Sequence, residues 1–389
     1  MFFLKQSTLY IYFKPLTSHL LLPTCYFQYS SPVYLRNMQT DVLIVGQGLC
    51  GTHLSWQLMN EGKKFVVIDD GANDSSSKVA AGIINPVTGR RYATTWMVEE
   101  VLSFSKTTYT AFGKYLETQL LFQKSVIDFF PTPQMRNSFV DRVSENDTYL
   151  HAYPDQNSFN PYFNYDFGCG EISPAYIVQV QTMLSLWRKK LEELQALREE
   201  KFIVEDLHVE KDGVRYGDIT AEKIIFCDGA ASPNNPWFSL LPFSPNKGEA
   251  LIIECDDLPD NHIFKRGTLL APLAQPNTFW VGANYSWEYE DNNPSSIFYD
   301  ATTELLNNWL KLPYKVIDHK AAIRPATVER RPFVGFHPLY PAVGILNGMG
   351  SKGTSLAPFF ANQMVQHLVH GLPITPETDV HRFQRILSK

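Results

Sequence analysis

Gly46-Gln47-Gly48-Leu49-Cys50-Gly51 sits between a short β-branched run, Asp41-Val42-Leu43-Ile44-Val45, and a segment of helical character from Leu49 to Asn60. A run of this kind leading directly into glycine reads as a buried parallel strand. Asn60-Glu61-Gly62 marks the helix end, and Phe65-Val66-Val67-Ile68 reads as a second buried strand that finishes at Asp69 and Asp70. Strand, helix and strand within about thirty residues form a βαβ unit and confine this part of the chain to an α/β fold. In that setting each glycine has a task. Gly46 permits the tight turn, Gly48 lets the backbone approach a pyrophosphate, and Gly51 lets helix and strand pack closely. The helix N-terminus supplies N–H donors and the positive end of a dipole. Asp69, about twenty residues after the first glycine, is placed to accept hydrogen bonds from ribose hydroxyls, with Asp70 as the alternative if the register differs by one.

The remaining composition narrows the class. With 389 residues, 44% of them hydrophobic, the chain can bury a sizeable core. Its formal net charge of -6 gives no electrostatic reason to expect a nucleic-acid or anionic-membrane partner, so small molecules are the expected ligands. Cys25, Cys50, Cys169, Cys227 and Cys255 are scattered and include no CxxC pair, which suggests free thiols and a cytoplasmic protein. His367 and His370 lie i, i+3 on the last helical segment without a third ligand, so no metal site is expected. Residues 1–37 carry Lys5, Lys14 and Arg36 but no acid, and their run Leu20-Leu21-Leu22 stops at Pro23, too short for a membrane span. They are read as an extension outside the fold, with Met38 as the natural start.

Further along, Ser173-Pro174 reads as the start of a helix, with Ser173 as N-cap and Tyr176, Val180, Met183, Trp187, Leu191 and Leu194 as its apolar stripe. Asp212-Gly213 reads as a β-turn, and Lys223 to Ala230 as a strand running into glycine. Residues 247–290 read as an antiparallel block, with Ala250–Glu254 and Thr278–Gly282 as strands. Val343–Leu346, the glycine-rich 347–354 and the helical 355–369 close the chain.

The opening motif recognises ADP and so does not choose between FAD and NAD. Two features favour FAD: there is one G-x-G-x-x-G only, and Asp228-Gly229-Ala230-Ala231 at the end of a strand resembles the second glycine contact of FAD-binding sheets. With the blocks Ser76 to Gly82, Gly170-Glu171-Ile172-Ser173-Pro174, Lys247-Gly248-Glu249, Ile323-Arg324-Pro325-Ala326-Thr327 and Asn347 to Thr354 in this order, the chain from Asp41 onward resembles the D-amino-acid-oxidase family of FAD-dependent oxidoreductases, the group containing glycine oxidase and monomeric sarcosine oxidase. The resemblance implies an α/β fold with a Rossmann-type FAD-binding domain and a smaller antiparallel-sheet α+β substrate domain. The first would comprise residues 38–95, 166–235 and 320–389, the second 96–165 and 236–319. It implies an amine or amino-acid substrate that gives hydride to flavin N5 from the carbon beside nitrogen, with O2 or another acceptor taking the electrons on.

The same resemblance assigns site residues. Ala81, Gly82, Gly229 and Ala230 would contact FAD. Gly350, Ser351, Lys352, Gly353 and Thr354 would bring backbone N–H groups and a helix N-terminus to the flavin's N1 and C2 oxygen, where charge collects on reduction. Lys352 either adds a full charge there or is a solvated loop lysine. Arg324 would grip a substrate carboxylate with its planar fork, or else pair with a local acid such as Glu329. Tyr285 either meets substrate or simply packs. Asn85 to Arg91 depart from the family's common members, and Arg90 and Arg91 either bind a second carboxylate or phosphate or form a surface turn. Two rival readings stay open. The closing Gly350-Ser351-Lys352-Gly353-Thr354-Ser355-Leu356-Ala357-Pro358 also resembles the oxidoreductase domain of the bifunctional enzymes that trim a carboxymethylaminomethyl group from wobble uridine of tRNA, and a flavin-binding protein without turnover would share the same cradle.

Overall fold

The computed structural model describes residues 38–388, and the expectations for residues 1–37, Cys25 among them, lie outside these. One eight-stranded sheet is organised around Met38–Val45. Phe65–Ile68 and Ile219–Phe226 flank that strand in parallel, with Val45 level with both Ile68 and Phe226. Val343–Asn347 continues the parallel set, Ile345 lying level with Phe226. All four strands therefore end at one edge, and the segments that leave them, at Gly46, Asp69, Cys227 and Gly348, meet there. This is the crevice outside the carboxyl ends of an open α/β sheet.

Period-two alternation sorts the central strand's side chains. Val42 and Ile44 pack on one face, Leu43 and Val45 on the other. Helices Leu49–Asn60, Val180–Glu193 and Gly353–His370 cover the first face. Helix Val98–Tyr115 joins them: Val101, Tyr109 and Phe112 lie within this layer although residues 96–165 were expected with the other sheet. Residues three apart share a helix face, which lets Tyr109 and Phe112 enter together. Phe112 stacks on Trp56 at 4.4 Å and meets Trp187 edge-on at 5.1 Å.

The second eight-stranded sheet runs in the order Lys315–Arg324, Asn246–Glu254, Thr278–Gly282, Thr268–Pro272, Ile263–Arg266, Val126–Phe129, Cys169–Ile172 and Leu150–Ala152. It is antiparallel except where Ile263–Arg266 runs beside Val126–Phe129. Ala250–Glu254 pairs directly with Thr278–Gly282, as expected from the sequence. Here too the faces alternate, with Ala250 and Ile252 on one and Leu251 and Ile253 on the other. The fold is the expected α/β arrangement of a Rossmann-type sheet with a second, antiparallel one.

One expected element is corrected. The helix does not begin at Ser173: Tyr176–Val178 is a strand, paired on one side with Ile83–Ile84 and on the other with Leu121–Gln123, and the helix starts at Val180. Tyr-Ile-Val suits a pleated, doubly flanked position, and pairing on both edges overrides the helical spacing. Leu194, expected in the stripe, is the C-cap and is exposed. Among the described residues no helix is long and apolar enough to cross a membrane.

Candidate active site

A cavity of about 1510 Å³ extends from the carboxyl edge of the first sheet to the face of the second. That exceeds the roughly 300–1,000 Å³ of an ordinary small-molecule pocket. Its floor is backbone. Gly46 has φ +96°, and a Cβ there would lie 2.6 Å from the Cys227 carbonyl oxygen. A Cβ on Gly51 would fall 1.9 Å from the Gly46 carbonyl oxygen, so Gly51 lies beneath the lining and holds the helix against the turn. Gly48 lines the cavity, opposite the Ser77 hydroxyl that accepts from the Leu49 N–H at 3.0 Å. Ala81 and Gly82 are buried in the wall, and a Cβ on Gly82 would meet the Val178 carbonyl oxygen at 1.9 Å. Gly229 and Ala230 line the same wall.

Asp69 also faces the cavity. Its carboxylate accepts from the Gln47 N–H at 2.7 Å and the Gly71 N–H at 2.9 Å, and it pairs with Arg188 at 2.7 Å. The Arg188 guanidinium donates further to Gln47 Oε1 at 3.0 Å. Asp70 is exposed and accepts from the Ala72 N–H at 3.1 Å. Arg188 carries no sequence signal, since a polar residue after Trp187 reads as the solvent face of an amphipathic helix. Asp228 and Asn347 were likewise named only within motifs. The Asn347 amide donates to Asp228 Oδ1 at 3.1 Å and to the Gly229 carbonyl at 2.9 Å, tying two strand ends together, and burial raises the Asp228 carboxyl above its usual range.

The helix Gly353–His370 starts two residues earlier than expected, and its first turn meets the first turn of Leu49–Asn60: a Cβ on Gly353 would lie 3.3 Å from Leu49. Two helix N-termini thus converge on the cavity. The Tyr109 hydroxyl donates to the Thr354 carbonyl at 2.7 Å, so helix Val98–Tyr115 braces this turn. Gly350, Ser351, Lys352, Gly353 and Thr354 all line the cavity, although the Gly350 N–H is already engaged by the Pro325 carbonyl at 3.2 Å and the Lys352 N–H by the Met349 carbonyl at 3.1 Å. Lys352 is no solvated loop lysine. Its Nζ donates to the Asn85 carbonyl at 3.3 Å, and burial pushes its ammonium down to about 8.

On the facing side Arg324 ends the strand Lys315–Arg324. One guanidinium nitrogen donates to Asn246 Oδ1 at 2.8 Å and to the Asn284 carbonyl at 3.1 Å. Gly248 gives it room, since a Cβ there would lie 1.9 Å from the guanidinium. Among the described residues no carboxylate pairs with Arg324, and Glu329 pairs instead with Arg382. Tyr285 lies over Arg324, guanidinium to ring centroid 4.6 Å, and is 54% exposed. Arg90 and Arg91 are exposed at the end of the hairpin Val87–Thr88/Ala93–Thr94 and line the cavity as well. His367 and His370 contact different groups, the Leu372 carbonyl and Glu61.

Residues 41–367 match the family model of DAO, the FAD-dependent oxidoreductases. The chain belongs to the DAO family. Solved structures share its fold. Glycine oxidase from Geobacillus kaustophilus is 16% identical, with a TM-score of 0.74 over 89% of this chain and 98% of that one. Iminodiacetate oxidase from Chelativorans sp. BNC1 is 17% identical, with a TM-score of 0.72 over 88% and 98%. L-Proline dehydrogenase from P. horikoshii is 13% identical, with a TM-score of 0.71 over 90% and 98%. The cradle of this DAO-family chain suits the family's FAD: a glycine floor that a Cβ would fill, two converging helix N-termini, an anchored Asp69, and a cavity larger than an ordinary small-molecule pocket.

Proposed function

We propose that the protein oxidises the C–N bond of an amino acid or an N-substituted glycine by hydride transfer. The observation that carries this reading is Arg324: a largely buried guanidinium on the cavity wall, held by two amide-type oxygens and without a carboxylate of its own. A charge so placed is complete only with an anionic ligand, and a planar fork suits a carboxylate. Glycine oxidase and iminodiacetate oxidase, which share the fold, are named for substrates of this class.

Gly46, Gly48 and the first turn of the opening helix would hold the pyrophosphate, Asp69 the ribose, and Ala81, Gly82, Gly229 and Ala230 the walls beside FAD. Bound FAD supplies the acceptor for the hydride that leaves the carbon beside nitrogen. Arg324 holds the substrate carboxylate in one orientation, and Tyr285 covers the guanidinium's face. Lys352 and the first turn of the helix Gly353–His370 keep positive potential on the side facing them, which favours charge arriving during the reaction. The substrate nitrogen must be neutral to release its lone pair, so the chain needs to orient more than to abstract protons. Cys50, Cys169, Cys227 and Cys255 are free and buried, which supports a reducing, cytoplasmic setting.

The test is anaerobic addition of amino acids and N-substituted glycines to the purified flavoprotein. One member of the panel should bleach the flavin band. Arg324→Ala should keep its flavin and lose about 3 kcal/mol of substrate binding, roughly a hundredfold in affinity. A flavoprotein that no amine bleaches would defeat the proposal.

A further inference from the structure

Arg90 and Arg91 occupy the centre of the turn Gly89–Tyr92, which closes the hairpin Val87–Thr88/Ala93–Thr94. Adjacent residues on a strand point to opposite faces, whereas in a turn they can fan to one side. The left-handed backbone of Gly89 (φ +75°) and Tyr92 (φ +52°) makes that bend, with the Tyr92 N–H donating to the Gly89 carbonyl at 3.4 Å. Both arginines accordingly line the one cavity.

The turn is anchored. The Tyr92 ring is fully buried, edge-on to Phe139 at 5.0 Å and beneath the Lys265 ammonium at 5.4 Å. At the base of the hairpin Asn85 receives the Val87 N–H on its side chain at 3.0 Å and the Lys352 ammonium on its carbonyl at 3.3 Å. The hairpin and the lysine thus share one frame.

The cations that line the cavity are unevenly paired. Lys265 is matched by Asp128 at 2.6 Å. Arg90, Arg91, Arg324 and Lys352 have no carboxylate within salt-bridge distance among the described residues. Among the described residues, the one carboxylate on the second sheet that lines the cavity, Glu249, already accepts from the Ser295 N–H at 2.6 Å and the Ser295 hydroxyl at 2.8 Å. With the FAD pyrophosphate assigned to Gly46 and Gly48 and a single substrate carboxylate to Arg324, the arginine turn has no assigned counter-charge.

We infer that the turn Gly89–Tyr92 is a second anion subsite, and that the substrate is an amino acid carrying a second anionic group, a carboxylate or a phosphate. This deepens the C–N oxidation reading and rests on it for the first carboxylate at Arg324.

Calorimetric titration of the FAD-loaded protein tests it with ligands matched except for the second anion: N-methylglycine against N-carboxymethylglycine, and serine against O-phosphoserine. In at least one pair the dianion should bind about tenfold tighter at low ionic strength, and added salt should shrink the difference. The pair that shows the effect tells carboxylate from phosphate. Arg90→Gln/Arg91→Gln should bring the ratio close to one, whereas Arg324→Ala should weaken both members of the pair. A ratio near one in the unaltered protein, or a ratio that survives the double substitution, overturns the inference. So does tight binding of transfer RNA that the double substitution abolishes in the absence of any small-anion preference, since the arginines would then serve a polyanion. Flavin bleaching is scored separately: a preserved binding ratio with no bleaching by any amine defeats C–N oxidation and leaves the subsite standing.

Discussion

At the carboxyl edge of the first sheet the cavity wall is backbone. Gly46 and Gly82 are set so close to carbonyl oxygens of other segments that an added Cβ would lie 2.6 and 1.9 Å from them, and Gly51, just beneath, would meet the Gly46 carbonyl oxygen at 1.9 Å. The rest of the wall is side chain: Arg324, Tyr285, Lys352 and the arginine turn reach in from separate segments, and Arg324 and Lys352 are steadied by amides and carbonyls. The first wall has one solution and fails as a whole. The second can be changed a residue at a time, so it is where members of one fold can differ in substrate.

The largest effect should come from the backbone wall. Gly51→Val forces side-chain atoms into the Gly46 carbonyl, and nothing flexible lies there to yield. It should abolish FAD retention, read as flavin absorbance per protein, and cost about 4 kcal/mol or more in thermal or denaturant unfolding. Gly48→Ala is the internal contrast. Its Cβ would meet the Ser77 hydroxyl at 3.0 Å, a group that can turn, so FAD should be retained. Full FAD occupancy in Gly51→Val would break the distinction between the walls.

That distinction also explains what could be read in advance. Gly46 and Gly51 were legible because only glycine satisfies those backbone approaches, and Gly48 and Asp69 because strand and helix bracket them closely in sequence. Arg324 and the 350–354 loop were legible by resemblance to a family, and their neighbours were not. Asn246 and Asn284 hold Arg324 through an amide and a main-chain carbonyl, which no residue pattern announces. Arg188 reaches Asp69 from a helix face that reads as solvated. The helix expected from Ser173 failed at Tyr176–Val178, where two partner strands distant in sequence decided the conformation. Local rules were sufficient where the chain meets itself within one βαβ unit, and insufficient where contacts span a hundred residues or more, as between Lys352 and Asn85.

Lys352 belongs to the side-chain wall, and Lys352→Met should act in opposite directions on the empty and the loaded protein. Burial pushes its ammonium down to about 8, whereas lysine in an unfolded chain titrates near about 10.4. Between those values the unfolded state binds more protons, so the stability of the FAD-free protein contributed by this group rises with pH through that window. Below pH 8 the cost of the enclosed charge is fully present. Lys352→Met should therefore stabilise the FAD-free protein below pH 8 by about 1–3 kcal/mol, the gain fading as the pH climbs past 8 towards 10. With FAD bound, the lost charge should slow flavin bleaching by about tenfold at pH 7. Destabilisation of the FAD-free variant at pH 7 would show that the ammonium's bond to Asn85 outweighs its desolvation.

The smallest effect sharpens what the aromatic rim contributes. Tyr285 covers the Arg324 guanidinium at 4.6 Å but is 54% exposed, so its ring is worth about 0.5–1 kcal/mol rather than the larger value of a desolvated cation–π pair. Tyr285→Leu should weaken substrate binding by roughly two- to fivefold without altering flavin content. Tyr285→Phe keeps the ring face and should recover most of that loss. A phenylalanine variant as weak as the leucine one would assign the tyrosine's contribution to its hydroxyl, and would make it a direct hydrogen-bonding partner of the substrate instead of a cover for the arginine beneath.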